Sequence, residues 1–285
     1  MKKILCFLFI LFSIVSFSQK DLDLKIDEGN ALYNDGHKGK ALKVWKGILR
    51  DVVPNSATYG TTLRNILWYY IEADDEKNVH LYYDQIISSK LNDRDENLKI
   101  GEPFKNYRYH SAMVVASFYA QKKKFKEALQ FVTVADHDLT YETTSLTAFI
   151  FQKVDLAFWK YRLYKDLNQP DQALHALIKR AFEYDYKDIY PRWATVSPST
   201  DEEQLAEEIL THFTTKESLQ DFEKETQNAI ENLKFTHATG KTIIRLSLKN
   251  MDYEIVVHSL LTSDADCKNY LENSFFYSHL KEKSK

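Results

Sequence analysis

Two apolar stripes of helical period, separated by a polar break, occupy Asp21 to Val53. Leu22, Ile26, Gly29, Leu32 and Tyr33 fall at three- and four-residue steps. Asn34-Asp35-Gly36-His37 interrupts them, and Ala41, Val44, Trp45, Ile48 and Val52 resume the period. Such spacing puts each set on one face of an α-helix, and Pro54 closes the second set. Gly29 and Ala41 stand where the two helices would cross, and a large side chain there would hold the axes apart. A helix pair of this kind cannot bury its apolar face alone, so it requires neighbours that stack on it.

The same offsets return three times. Leu67 and Tyr70 face Val79 and Tyr83 across Asp74-Asp75-Glu76. Ala116 and Tyr119 face Ala128, Val132 and Ala135 across a turn within Gln121 to Phe125. Tyr161 and Tyr164 face Ala173, Leu177 and Ala181 across Asn168-Gln169-Pro170-Asp171. In these positions the chain resembles the tetratricopeptide repeat family. Gly29, Leu32, Ala41 and Trp45 match its small residue, the large residue one turn on, the alanine of the second helix and the aromatic four residues later. Pro54 lies one position past the family's closing proline. Val79 in place of alanine and Tyr161 in place of a small residue are departures. The anchors Ala41, Val79, Ala128 and Ala173 are 38, 49 and 45 residues apart, against a family period of about 34. Residues 92 to 106 read as an insertion and 141 to 151 as a lengthened first helix. The resemblance covers residues 21 to 187 and implies an all-α, right-handed tetratricopeptide-like helical-repeat solenoid.

The N-terminus sets the expected compartment. Lys2 and Lys3 precede an apolar run from Ile4 to Val15, and Ser16 and Ser18 offer small residues before Gln19. This pattern reads as a cleavable signal peptide over residues 1–18, for a protein exported to the periplasm or the extracellular space. The run falls short of the ~20 residues a membrane span needs, and no later stretch approaches that length without charges, so no stable span is expected in the mature chain. Cys6 lies inside the apolar run, too early to be a lipidation site. Its removal would leave Cys267 alone, with no internal disulfide available. Removing Lys2 and Lys3 takes the formal charge from −3 to about −5, a balance that gives no support to nucleic-acid binding.

The C-terminal third changes character. After repeats over residues 19–190, Tyr190-Pro191-Arg192-Trp193 and Val196-Ser197-Pro198-Ser199 read as a bend or linker over 191–200. A helical region follows over 201–285. Capping boxes are expected at Thr200 to Glu203 and Thr214 to Glu217. Alternation in Ile243 to Leu248 and Tyr253 to Val257 predicts a small β-hairpin, 243–257, with Lys249 to Asp252 as its turn. Asp264 to His279 reads as a final helix, and the charged Lys281 to Lys285 tail is expected to fray.

Motifs that would carry chemistry fail their context. Gly240-Lys241-Thr242 imitates the end of a phosphate loop, but Phe235 stands where its leading glycine belongs, and the segment reads as a helix-to-strand turn. Asp93, Asp95 and Asn97 begin like a calcium loop, yet Leu98 and Phe104 occupy its glycine and glutamate positions. Asp136-His137-Asp138 with Glu142 is chemically dense but falls where polar residues end a helix. The histidines, among them His80, His110, His175, His212, His237 and His258, show no zinc spacing, and no nucleophile elbow is present. No catalytic residue, metal ligand or cofactor is therefore assigned.

What remains is an aromatic surplus, 18 Tyr and 17 Phe, on a scaffold whose stacking generates a curved surface. Tyrosine joins apolar area to a hydroxyl, a combination favoured at recognition surfaces. Trp68-Tyr69-Tyr70, Tyr82-Tyr83, and Tyr107 with Tyr109 place rings on more than one helical face. Tyr69, Tyr83 and Tyr119 are the candidate partner contacts. The expectation is an adaptor that holds a peptide or protein partner. The alternatives are a structural component of an envelope assembly that self-associates, a glycan-binding protein, and an unrecognised hydrolase.

Overall fold

The computed structural model describes residues 21–91, 94, 104–183, 200–257 and 261–285. The leader, most of the calcium-like loop, residues 184–199 with all but the last residue of the expected bend, and His258 lie outside these. The chain divides into two compact units, Met1–Thr144 and Ser145–Lys285.

Unit 1 consists of antiparallel helix pairs: α1 (21–34) with α2 (Lys38–Asp51), α3 (Ala57–Glu72) with α4 (Glu76–Ser88), and α5 (Tyr107–Gln121) with α6 (Phe125–His137). Unit 2 opens on a fourth pair, α7 (Leu146–Asp166) with α8 (Pro170–Glu183). The long α7 absorbs the latter part of the 141–151 extension, whereas 141–145 is not helical.

All four pairs share one joint. The residues Gly36, Asp74, Lys123 and Asn168 each adopt positive φ. The next residue in each case, His37, Asp75, Lys124 or Gln169, donates its amide to the carbonyl of Leu32, Tyr70, Tyr119 or Tyr164, at 2.8 to 3.0 Å. This is the Schellman closure, which satisfies the orphan carbonyls of one helix while reversing the chain into the next. Four residues after each of those donors stand Ala41, Val79, Ala128 and Ala173, all fully buried, and four further on Trp45, Tyr83, Val132 and Leu177, also buried. The offsets read from sequence are thus the offsets of a repeated structural unit, and the helix pairs are tetratricopeptide-like.

Close approach depends on small residues at two places. An added Cβ at Gly29 would lie 2.4 Å from Trp45 Nε1, and one at Gly60 would lie 2.8 Å from the Tyr107 ring. Gly29 lets α1 meet α2. Gly60 lets Tyr107, at the start of α5, lie flat against α3, where its hydroxyl reaches Thr61 Oγ1 (2.9 Å) and the Ala57 carbonyl (3.1 Å).

The rest of unit 2 comprises α9 (Thr200–Leu210), α10 (Lys216–Glu231), strands β1 (Lys234–Ala238), β2 (Lys241–Leu248) and β3 (Met251–Val257), then α11 (Asp264–Glu272) and α12 (Phe275–Ser284). The expected hairpin is present as β2 and β3, and β1 extends it to a three-stranded antiparallel sheet in the order β1-β2-β3. Gly240 therefore belongs to a strand-to-strand turn, which corrects the helix-to-strand reading. Both connections are two-residue turns with positive φ at Thr239 and Gly240, and at Lys249 and Asn250, as type I′ hairpins require. Lys249-Asn250 is shorter than the expected turn because Met251 and Asp252 already pair with Leu248 and Ser247. One face of the sheet buries Ile244, Leu246, Leu248, Tyr253, Ile255 and Val257 against a core that includes Phe182, Phe222 and Phe276.

Three local expectations change. The second capping box is Thr215 with Ser218, each side chain accepting from the other's amide at 3.1 Å. The final helix is two, because Ser274 accepts from the Tyr277 amide and begins a new one. The charged tail is helical through Ser284, and Gln220 Nε2 donates to the Ser284 carbonyl at 3.1 Å.

Candidate functional site

The first helices of the second and third pairs, α3 and α5, form a cleft of about 420 Å³ in unit 1, lined by Arg64, Asn65, Leu67, Trp68, His110, Ser111 and Val114. Helical geometry explains the lining. Arg64 and Trp68 are four residues apart on α3, as are His110 and Val114 on α5, so each pair shares one exposed strip. Leu63 and Leu67, one position before Arg64 and Trp68, are fully buried, so α3 is anchored in the core beside that strip.

Trp68 is 44% exposed, so nearly half of a large apolar ring faces solvent at the cleft. The Arg64 guanidinium lies 5.6 Å from the centroid of the Tyr107 ring, a distance within cation–π range. No carboxylate of the described residues pairs with it. Asn65 Nδ2 donates to Asn30 Oδ1 at 2.8 Å, fixing α3 against α1. Ser111 is 1% exposed and its hydroxyl has no hydrogen-bond partner among the protein atoms. The lining joins an apolar floor to cationic and hydrogen-bonding side chains and includes no acidic residue.

The three tyrosines expected as partner contacts lie in two places outside this lining. Tyr83, 7% exposed, meets Phe131 edge-on at 5.0 Å, and Tyr119, 1% exposed, stacks on the same ring at 5.4 Å. These two are brought together inside unit 1. Burial pushes the Tyr83 phenol up to about 12. Tyr69 stands apart from that cluster, half-buried and edge-on to Tyr70 at 5.2 Å. Tyr70, Tyr82, Tyr107 and Tyr109 are buried as well, so of the aromatic groups read from sequence Trp68 presents the most exposed ring.

Tyr119 also closes a polar network between the second and third pairs. Its hydroxyl donates to Glu76 Oε1 at 3.1 Å and meets His80 Nε2 at 2.5 Å. Lys124 Nζ reaches both Glu76 oxygens, at 2.9 and 2.7 Å, and Lys122 pairs with Asp74. Lys122 and Lys124 of the basic run are thereby matched to Asp74 and Glu76 in the acidic turn of the preceding pair. Burial, then Glu76, raises the Tyr119 phenol, while the Lys124 hydrogen bond holds the Glu76 carboxyl below its ordinary value. In unit 2 the Tyr161 hydroxyl likewise meets Glu208 (2.7 Å), His212 (3.2 Å) and Lys165 (3.2 Å). These clusters lock elements together.

Elsewhere, Asp136 and His137 lie 3.9 Å apart at the end of α6, and the Glu142 amide donates to Asn106 Oδ1. Among the described residues no group of three His, Cys, Asp or Glu side chains converges as a metal site. Cys267 is buried, and burial raises its thiol. No helix of the described residues is long and apolar enough to cross a membrane.

Arg64, Asn65, His110, Ser111 and Val114 were not singled out as contacts from sequence. The Arg64–Trp68 spacing on the polar side of α3 was the available signal. It was masked because Trp68 is followed by Tyr69 and Tyr70, which reads as one aromatic block.

No family model matches the chain, and no curated protein matches it. Among solved structures it is similar to one described as the functional characterization of Pseudomonas aeruginosa pilF. The identity is 13%, covering 73% of this chain and 83% of that one, with a TM-score of 0.38.

Proposed function

We propose that the protein is an exported adaptor and that the α3–α5 cleft of unit 1 holds an extended segment of a protein partner. The observation that carries this reading is the exposed Trp68 ring beside a guanidinium that has no carboxylate partner among the described residues. Exposing an indole forgoes roughly 1.5–3 kcal/mol of burial that a large apolar side chain could contribute. A partner that covers it recovers much of that.

The cleft also favours one ligand chemistry. Trp68 and Val114 would accept an apolar side chain. Arg64, with His110 at the rim, would receive a neighbouring aspartate or glutamate, and the tyrosine beneath Arg64 limits the entropy lost in orienting it. Export rests on the basic and apolar leader and agrees with the absence of a spanning helix among the described residues.

Selection of a random heptapeptide library on the full-length protein tests the proposal. Retained peptides should pair an acidic with an apolar residue, and Trp68→Ala and Arg64→Ser should each release them at unchanged far-ultraviolet dichroism. Peptides that bind both variants as well as the parent would place the site elsewhere, and a library that yields no binder would remove the adaptor reading.

A further inference from the structure

The sheet of unit 2 ends at β1, which α11 also approaches. Its hairpin turn at Thr239-Gly240 is two residues long, so Ala238 and Lys241 exchange hydrogen bonds, and antiparallel alternation assigns inward bonding to Thr236 and Lys234 as well. The amides and carbonyls of Phe235 and His237 consequently point away from β2. No hydrogen bond from another described residue meets them. The chain that returns from β3 does not cover this edge at Leu261, whose amide donates to Thr242 Oγ1 on β2 at 2.9 Å.

We infer that β1 is a docking edge for an acidic strand of a partner protein, which adds antiparallel as a fourth strand. Charge names the occupant. On the outer face of the sheet Arg245 is neutralised by Glu254, at 2.9 and 3.1 Å. Lys234 and Lys241 have no ion pair among the described residues and stand at the two ends of β1, Lys241 directly across from Ala238. Opposite charges facing across paired strands are favourable, and like charges are not. A second copy of this strand, paired about Thr236, would set Lys234 in one row with Arg245 and the copy's own Lys241, so self-pairing is opposed. A residue facing Lys234 and a residue facing Ala238 lie four apart on an added strand, and both should be acidic. Between them, the two positions facing Phe235 and His237 should be apolar, because those rings, 5.4 Å apart, lie on the face that carries the core. The position facing Thr236 should be small and polar. Strand addition of this kind draws affinity from main-chain bonds and specificity from alternate side chains. The site is independent of the cleft in unit 1.

A capped peptide containing Glu-Val-Thr-Val-Glu, added to the full-length protein at millimolar concentration and followed by amide hydrogen exchange, is the direct probe. Protection should rise at Phe235 and His237 and stay unchanged in α3 and α5. His237→Pro removes an outward donor without touching the β2 ladder, a placement proline tolerates, and should weaken binding at least fivefold. Lys234→Glu should weaken it about two- to fivefold and shift preference to the peptide with lysine in place of glutamate. Trp68→Ala should have no effect, which separates this site from the cleft. Equal protection by the lysine and glutamate peptides would overturn the assignment, as would protection of the same amides by self-association without peptide, or no protection at all.

Discussion

Replacing Gly29 by alanine isolates the contact that allows the first helix pair to close. The added carbon would sit 2.4 Å from Trp45 Nε1 and 2.8 Å from Cδ1, where ordinary contacts need about 3.5–4 Å. Trp45 is buried, so its ring cannot swing into solvent without losing that burial, and α1 must move away from α2 instead. Overpacking of this kind costs about 1–3 kcal/mol, while alanine returns about 0.5–1 kcal/mol of helix propensity. The net expectation is a loss of roughly 0–2.5 kcal/mol. Gly47 supplies the control, since a Cβ there meets only Arg50 Nη2 at 3.8 Å, and Gly47→Ala should gain about 0.5–1 kcal/mol. Urea titrations of the full-length protein, read by tryptophan fluorescence together with hydrogen exchange in α1 and α2, give both values. A Gly29→Ala protein as stable as Gly47→Ala would refute the claim that close approach, and not helix propensity, governs this position.

The His175 imidazole lies 4.3 Å from the Tyr253 ring where α8 meets β3, and burial, then Lys179 and Lys160, lowers its value. With the folded value depressed, no penalty exists above about pH 6.5, and stability falls as pH drops below the unfolded value toward the folded one. His175→Phe should flatten that acid limb in urea midpoints taken across pH 7 to 5, and an unchanged slope would remove His175 as its cause. Tyr119→Phe keeps the stack on Phe131 but leaves Glu76 and His80 without the hydroxyl, and should cost about 1–2 kcal/mol. If the thermal midpoint of Tyr119→Phe matches that of the parent protein, the hydroxyl network does not hold the second and third pairs together.

Legibility varied with how local the cause is. The helix pairs were readable because period and turn residues act within one turn of helix, and the anchors from Ala41 to Ala173 sit where their offsets predict. Gly60 carried no such mark, since its reason for being glycine is Tyr107, 47 positions away. β1 was missed because Lys-Phe-Thr-His-Ala has weak alternation, and its identity as a strand comes from pairing with Ile243 and Ile244. Tyr83 and Tyr119 looked like surface candidates because tyrosine serves cores and interfaces alike. Their enclosure around Phe131 depends on how neighbouring pairs stack, which periodicity does not encode.

The repeated joint has a consequence for how such a chain can change over time. Glycine occupies the left-handed position once, while aspartate, lysine and asparagine occupy it in the other three pairs, yet the hydrogen bonds that reverse the chain are the same in all four. What the four joints share is therefore a backbone conformation and not a residue type. Each joint can drift in sequence as long as a neighbouring network, such as the lysine-glutamate match at Lys124, absorbs the modest strain. The turn is thus specified by its hydrogen bonds, and four different residues serve it equally in one chain.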